Sequence, residues 1–121
     1  MLDLPNLCAA SFRYVPDARQ FICVGTAGGP AGGIAFVTSP DLRIWSTQRV
    51  ILPGTETGSY VCGGPEPTMY YSLIDPDSPS RNFETVVGKT AYVYYTRFHY
   101  TNCQMTLDRD LVRIPISVTV G

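Results

Sequence analysis

Short runs of β-branched and aromatic residues, each cut off by Gly, Pro, Asp or Ser, leave this chain almost no stretch with helical periodicity. The runs are AASFRYV (9–15), QFICVGT (20–26), GGIAFVT (32–38), QRVILP (48–53), MYYSLID (69–75), TAYVYYTRF (90–98) and DLVRIPISVTV (110–120). An all-β fold is expected. VPDARQ reads as the tight connection of a hairpin, because Pro16 fixes φ and Asp17 can bond its own backbone. Gly28, Gly29, Gly32 and Gly33 resemble a phosphate cradle only superficially. No Lys-Ser/Thr follows them and no helix opens behind, so a hairpin tip is the better account.

Two longer connections break the strand pattern. PGTETGSYVCGGPEPT, ahead of Met69, is too rich in Gly, Pro and Thr for a central strand. DPDSPSRNFETVVGK (75–89) is the second, and long loops in compact β domains are either functional or disordered. The 121 residues thus read as one all-β segment with a first unit over 9–53, a linker over 54–68 and a second unit over 69–120. The units look alike. Ser11-Phe12 ahead of Pro16-Asp17 matches Ser72-Leu73 ahead of Pro76-Asp77, QFICVGT matches TAYVYYT, and Asp41-Leu42 matches Asp110-Leu111. Repeated antiparallel units of this size predict a partial β-propeller of about two four-stranded blades. Two halves of a β-sandwich are the alternative.

Charge and cysteine content remove several function classes. A net charge of −1 with no basic cluster lacks the footprint of a nucleic-acid binder. No apolar run approaches the roughly 18 residues of a membrane span, and MLDLPNLCAA lacks the pattern of a signal peptide. Either the chain is cytosolic or its true beginning is absent. Cys8, Cys23, Cys62 and Cys103 are scattered without a CxxC pair, and there is one histidine, so neither a metal site nor a cofactor is expected. Cys23 lies in an apolar run, so the cysteines read as free core thiols, with disulfides the alternative in an oxidising compartment.

The segments SFRYVPDARQFICV, TSPDLRIWS and YYSLIDPDSPSRNFETV, followed by TAYVYYTRF and LDRDLVRIPI, resemble the last blades of five-bladed propellers of the glycoside hydrolase family 43 type. S-x-D-L-x-x-W, kept here as Ser39, Asp41, Leu42 and Trp45, turns the outer hairpin of a blade in such proteins. Asp41 is expected to receive backbone amides at that turn, and Trp45 to pack over it. The resemblance implies an extracellular protein acting on or binding carbohydrate, with two catalytic Asp residues in blades upstream of Met1. Propellers close with at least four blades. The chain is therefore expected to be part of a longer protein, to need its remaining blades and to be inactive alone.

Glycoside hydrolysis takes two carboxyl groups across the scissile bond. Glu66, held between Pro65 and Pro67 where an inner strand begins, is the best candidate in this chain, and Asp75 at that strand's end is the second, although Asp75 also suits a turn cap. Glu84 reads as a solvent-facing residue. Tyr71, Arg97 and His99 are the candidate substrate-binding residues, since aromatic faces with a guanidinium and an imidazole suit sugar hydroxyls or a carboxylate. His99 would be the centre of any Ser-His-Asp triad, but no G-x-S-x-G elbow accompanies it. A non-catalytic propeller module for glycan or protein binding is the rival reading.

Overall fold

Pro16 sets the end of the first strand: its ring removes a backbone donor and fixes φ. The chain leaves the ladder in a single 3-10 turn, Pro16–Ala18, and swings back through Arg19 at φ 52°. The computed structural model describes residues 11–27, 33–54 and 60–118. Within them run β1 (Ser11–Val15), β2 (Gln20–Thr26), β3 (Ile34–Ser39), β4 (Arg49–Leu52), β5 (Thr68–Ile74), β6 (Thr90–Thr101) and β7 (Gln104–Ser117). Cys8, Gly28, Gly29, Gly32 and the outermost residues of the first, third and last expected strands lie outside the described residues. Gly33, at φ 88°, backs so closely onto Leu52, Pro53 and Gly54 that a Cβ would strike their backbone.

The protein is all-β, with two antiparallel sheets ordered β1-β2-β3-β4 and β5-β6-β7. Each is a meander in which chain neighbours pair. The first sheet has its four expected strands, but the second has three among the described residues, not four. Its last two are longer than expected because Tyr100 pairs with Met105 and Thr101 with Gln104. Asn102 and Cys103, at φ 51° and 65°, turn the chain between them. The far edge of β7 has no strand partner among the described residues.

Side-chain alternation gives each sheet two faces. Val15, Val24 and Ile34 from the first sheet share one buried cluster with Tyr71, Leu73, Ala91, Val93 and Tyr95 from the second. Full burial of each such large apolar side chain contributes about 1.5–3 kcal/mol. Polar bonds join the same two sheets: Leu73 N donates to Ser11 Oγ (2.9 Å) and Arg13 Nε to the Leu73 carbonyl (2.8 Å). The opposite face of the first sheet carries Cys23, Ala35 and Val37, with Phe12 and Trp45 packed on them.

The β3–β4 corner takes the expected form. Asp41 Oδ1 accepts from Arg43 N and Ile44 N, both at 2.9 Å, while Ser39 Oγ accepts from Leu42 N at 2.9 Å. Those amides, first Ile44 and then Arg43, hold the Asp41 carboxyl below its usual range. Trp45 packs its ring on the sheet, at 6.5 Å from Phe12. The proposed match at Asp110-Leu111 does not hold. Those residues lie inside β7, opposite Arg97 and Thr96. The reason is the preceding residue: Pro40 cannot extend a ladder, whereas Arg109 can and pairs with Phe98.

The cysteine reading is corrected as well. Cys62 and Cys103 form a disulfide with Cα atoms 5.0 Å apart across 41 residues of sequence, and Cys23 is also disulfide-bonded. No cysteine is free among the described residues. Spacing along a chain carries no information about such an approach until the strands have paired. Among the described residues no helix is long and apolar enough to cross a membrane.

The 75–89 connection is ordered by one buried acid. Asp75 Oδ2 accepts from Val87 N (2.7 Å) and Gly88 N (2.8 Å), and Oδ1 from Asp77 N (2.9 Å). Held this way, the loop runs Glu84 to Val86 along β1: Tyr14 N donates to the Glu84 carbonyl and Val86 N to that of Tyr14, each at 2.9 Å. Burial pushes the Asp75 carboxyl up, but the amides of Gly88, Asp77 and Val87 together outweigh it and hold the group below its ordinary value. A depressed value means the stabilisation is present above the ordinary carboxylate range and is lost as pH falls through the folded value. Asp75→Asn should lower stability by about 2 kcal/mol or more, since a buried amide loses its acceptor. Urea unfolding of both proteins at pH 7 and pH 3 checks this, with the gap between them narrowing in acid.

Candidate functional site

His99 stands between two carboxylates. Its Nδ1 lies 3.1 and 3.0 Å from Glu66 Oε1 and Oε2, and its Nε2 lies 2.8 Å from Asp110 Oδ2. Three pieces of chain bring these groups together. Glu66 precedes β5, where the neighbouring Pro67 carbonyl accepts from Phe98 N (3.0 Å) and fixes the linker against β6. The Glu66 carboxylate then also accepts from Tyr100 N at 3.1 Å. His99 follows Phe98 on β6, where the register shifts between Phe98 and Tyr100. Asp110 comes from β7, directly opposite Arg97.

The linker and the β6–β7 turn are tied a second time by the Cys62–Cys103 disulfide, and Tyr60 lies against Tyr100 with ring centroids 3.9 Å apart. Thr106 Oγ1 donates to the His99 carbonyl (2.8 Å) and accepts from Asp108 N (3.2 Å), bracing the two strands at the same level. The His99 side chain is 28% exposed and that of Glu66 37%. The group is therefore open to solvent but mechanically fixed.

Electrostatics follow from the count of protons. A neutral imidazole donates from one nitrogen only, yet both nitrogens of His99 face acceptors. Hydrogen bonding to Asp110 first and to Glu66 second raises the His99 pKa above its ordinary value, with desolvation opposing. An imidazolium suits this position. A serine could be activated only through Nε2, and Nε2 faces Asp110, so no Ser-His-Asp relay is built here.

Of the expected site residues, Glu66 and His99 come together. Arg97 shares a cross-strand position with Asp110, yet makes no ion pair with it. Tyr71 is buried, and its hydroxyl donates to the Thr68 carbonyl (2.8 Å) and meets Thr68 Oγ1 (2.7 Å). Asp75 has its oxygens committed to the three amides of its loop. From sequence Asp110 is named only as a turn match to Asp41 and has no site role, although its side of β7 can be read from alternation with Val112, Ile114 and Ile116. Tyr70 was also missed: it is 65% exposed at φ 63°, in the irregular stretch between Met69 and Ser72, beside Phe98. Backbone in that region is strained for a tyrosine. Comparison with protein-family models, curated proteins and solved structures finds no match.

Two measurements address the site. The His99 ring, followed by NMR, should titrate above the ordinary histidine range of about 6.5, and Asp110→Asn and Glu66→Gln should each lower its midpoint. Because the folded value is raised, the bracing is complete below the unfolded value and is lost as pH rises through the folded one. Replacing Cys62 and Cys103 by Ser reopens a loop of 41 residues, and a cost of about 2–4 kcal/mol is expected in urea unfolding.

Proposed function

We propose that the chain supplies two blades of a carbohydrate-active β-propeller, similar to the glycoside hydrolase family 43 type, and works outside the cell. The observation that carries this reading is the way the two sheets meet. Each is a meander, and the first strands lie beside one another through Ser11, Arg13 and Leu73. Successive blades of a propeller follow one another in this manner. The Ser39-Asp41 corner with Trp45 packed behind it matches the turn of such blades. Disulfides at Cys23 and between Cys62 and Cys103 agree with an oxidising compartment.

Two sheets do not close a propeller, so the cleft would be completed by further blades. In this reading Arg97 and His99 face bound carbohydrate at the cleft wall. Tyr71 and Asp75 act beneath it by shaping β5 and its loop. Among the described residues Glu66 is the better placed of the two candidates for proton transfer, Asp75 being committed to its loop amides, and the second carboxyl group that hydrolysis needs comes from another blade. A non-catalytic glycan- or protein-binding module is the second reading. It is favoured by the engagement of both Glu66 oxygens by His99, with Tyr100 N also on Oε2.

The 121-residue chain alone should not turn over aryl glycosides, and measurable turnover would overturn the need for other blades. In the assembled propeller, Glu66→Gln separates the two readings. A rate loss of about a hundredfold or more fits acid–base work, whereas unchanged activity removes Glu66 from the chemistry. Titration with oligosaccharides of several sugar classes, followed by NMR, should move the Arg97 and His99 signals. If no sugar class shifts either residue, the carbohydrate reading falls.

A further inference from the structure

The open side of His99 has the composition of a metal site. A ring nitrogen of His99, an Asp108 oxygen and an Asp110 oxygen all lie within 4.8 Å of one another. The 2.8 Å between Nε2 and Asp110 Oδ2 is a hydrogen-bond distance, and two ligands on one tetrahedral ion with bonds of about 2.1 Å stand about 3.4 Å apart. Asp108 and Asp110 are exposed, so their carboxylates can take up that spacing by side-chain rotation.

An independent feature orients the histidine for that task. Glu66 sits on Nδ1, so an ion that displaces the Nε2 proton now shared with Asp110 leaves the Nδ1 proton on the carboxylate, the arrangement that holds a ligating imidazole toward its metal. The disulfide and the Pro67–Phe98 bond hold Glu66 in that place from outside the cluster. Charge points the same way. Glu66, Asp108 and Asp110 bring three negative groups to one imidazole, and Arg97 neutralises none of them by an ion pair. Spacing along the chain does not announce this group, because the three ligands become neighbours only when β6 and β7 pair.

We propose that His99, Asp108 and Asp110 bind a divalent transition-metal ion of the zinc or manganese class, with Glu66 as the positioning residue on the far ring nitrogen. One nitrogen and two carboxylate ligands suit these ions, and the imidazole disfavours calcium. The remaining coordination positions face solvent, so the ion could in turn bind a ligand oxygen. The site does not depend on the carbohydrate reading. Its binding is measured without sugar, and either reading can fail alone.

The test uses the untagged, oxidised chain in metal-free buffer, titrated with Zn²⁺ by calorimetry. One ion per chain is expected. His99→Gln should abolish binding, Asp108→Asn and Asp110→Asn should each weaken it at least about tenfold, and Glu66→Gln by about 10- to 100-fold. Circular dichroism establishes that each variant is folded. A second measurement needs no variant: Mn²⁺ added to the unaltered chain should broaden the NMR signals of His99, Asp108 and Asp110 before others. The proposal is overturned if no saturable binding occurs, if Asp108→Asn and Asp110→Asn bind as the parent does, or if Mn²⁺ broadens signals elsewhere first. Calcium binding as tightly as zinc would equally overturn it, since the imidazole would then not be a ligand.

Discussion

A carboxylate taken out of water must find donors, and the 75–89 connection of this molecule is arranged around the donors found for Asp75. Its oxygens collect the amides of Asp77, Val87 and Gly88, so both ends of a long connection converge on one side chain. Glu84–Val86 then runs along β1, and Val86 enters the shared core. Without that anchor the loop would carry the entropy of a long free segment, and β1 would expose its edge. The contact of the two sheets therefore rests on a polar group as much as on the apolar cluster beside it.

The second anion, half-exposed Glu66, is neutralised differently. Asp75 faces backbone amides, whose partial charges are fixed by the fold. Glu66 faces an imidazole, whose charge is exchangeable, together with one amide. Fixed neutralisation suits a structural element, and exchangeable neutralisation suits a place where protons or cations come and go. In the sequence both acids stand beside proline and next to the same strand, Glu66 before it and Asp75 after it. What separates them is the identity of the donors, which only tertiary pairing supplies.

Much of the fold was legible from local chemistry. Alternating apolar runs located the strands, because a half-buried strand needs a period of two. Pro16 and Pro76 marked the ends of β1 and β5 in both units. Ser39, Asp41 and Trp45 predicted a corner that forms from their own backbone. Legibility ended where contacts are long-range. The β6–β7 hairpin extends past His99 through Tyr100 and Thr101 and returns along Gln104–Arg109, where polar residues interrupt any clear alternation, so the tight turn at Asn102–Cys103 is not legible in the sequence. Asp110 was matched to Asp41 by its neighbour Leu111, whereas the residue before it decides whether the chain turns. The pairing of Cys62 with Cys103 is not legible because their distance in sequence says nothing of their distance in space.

That disulfide ties the maturation of the chain to its surroundings. The linker bearing Glu66 and the turn following His99 are joined covalently only after oxidation. In a reducing medium the same residues depend on the Tyr60–Tyr100 contact and a few hydrogen bonds to stay in register. The covalent tie between linker and turn therefore exists only where the surroundings oxidise thiols, whereas the hydrogen bonds that set Glu66 against His99 need no oxidant.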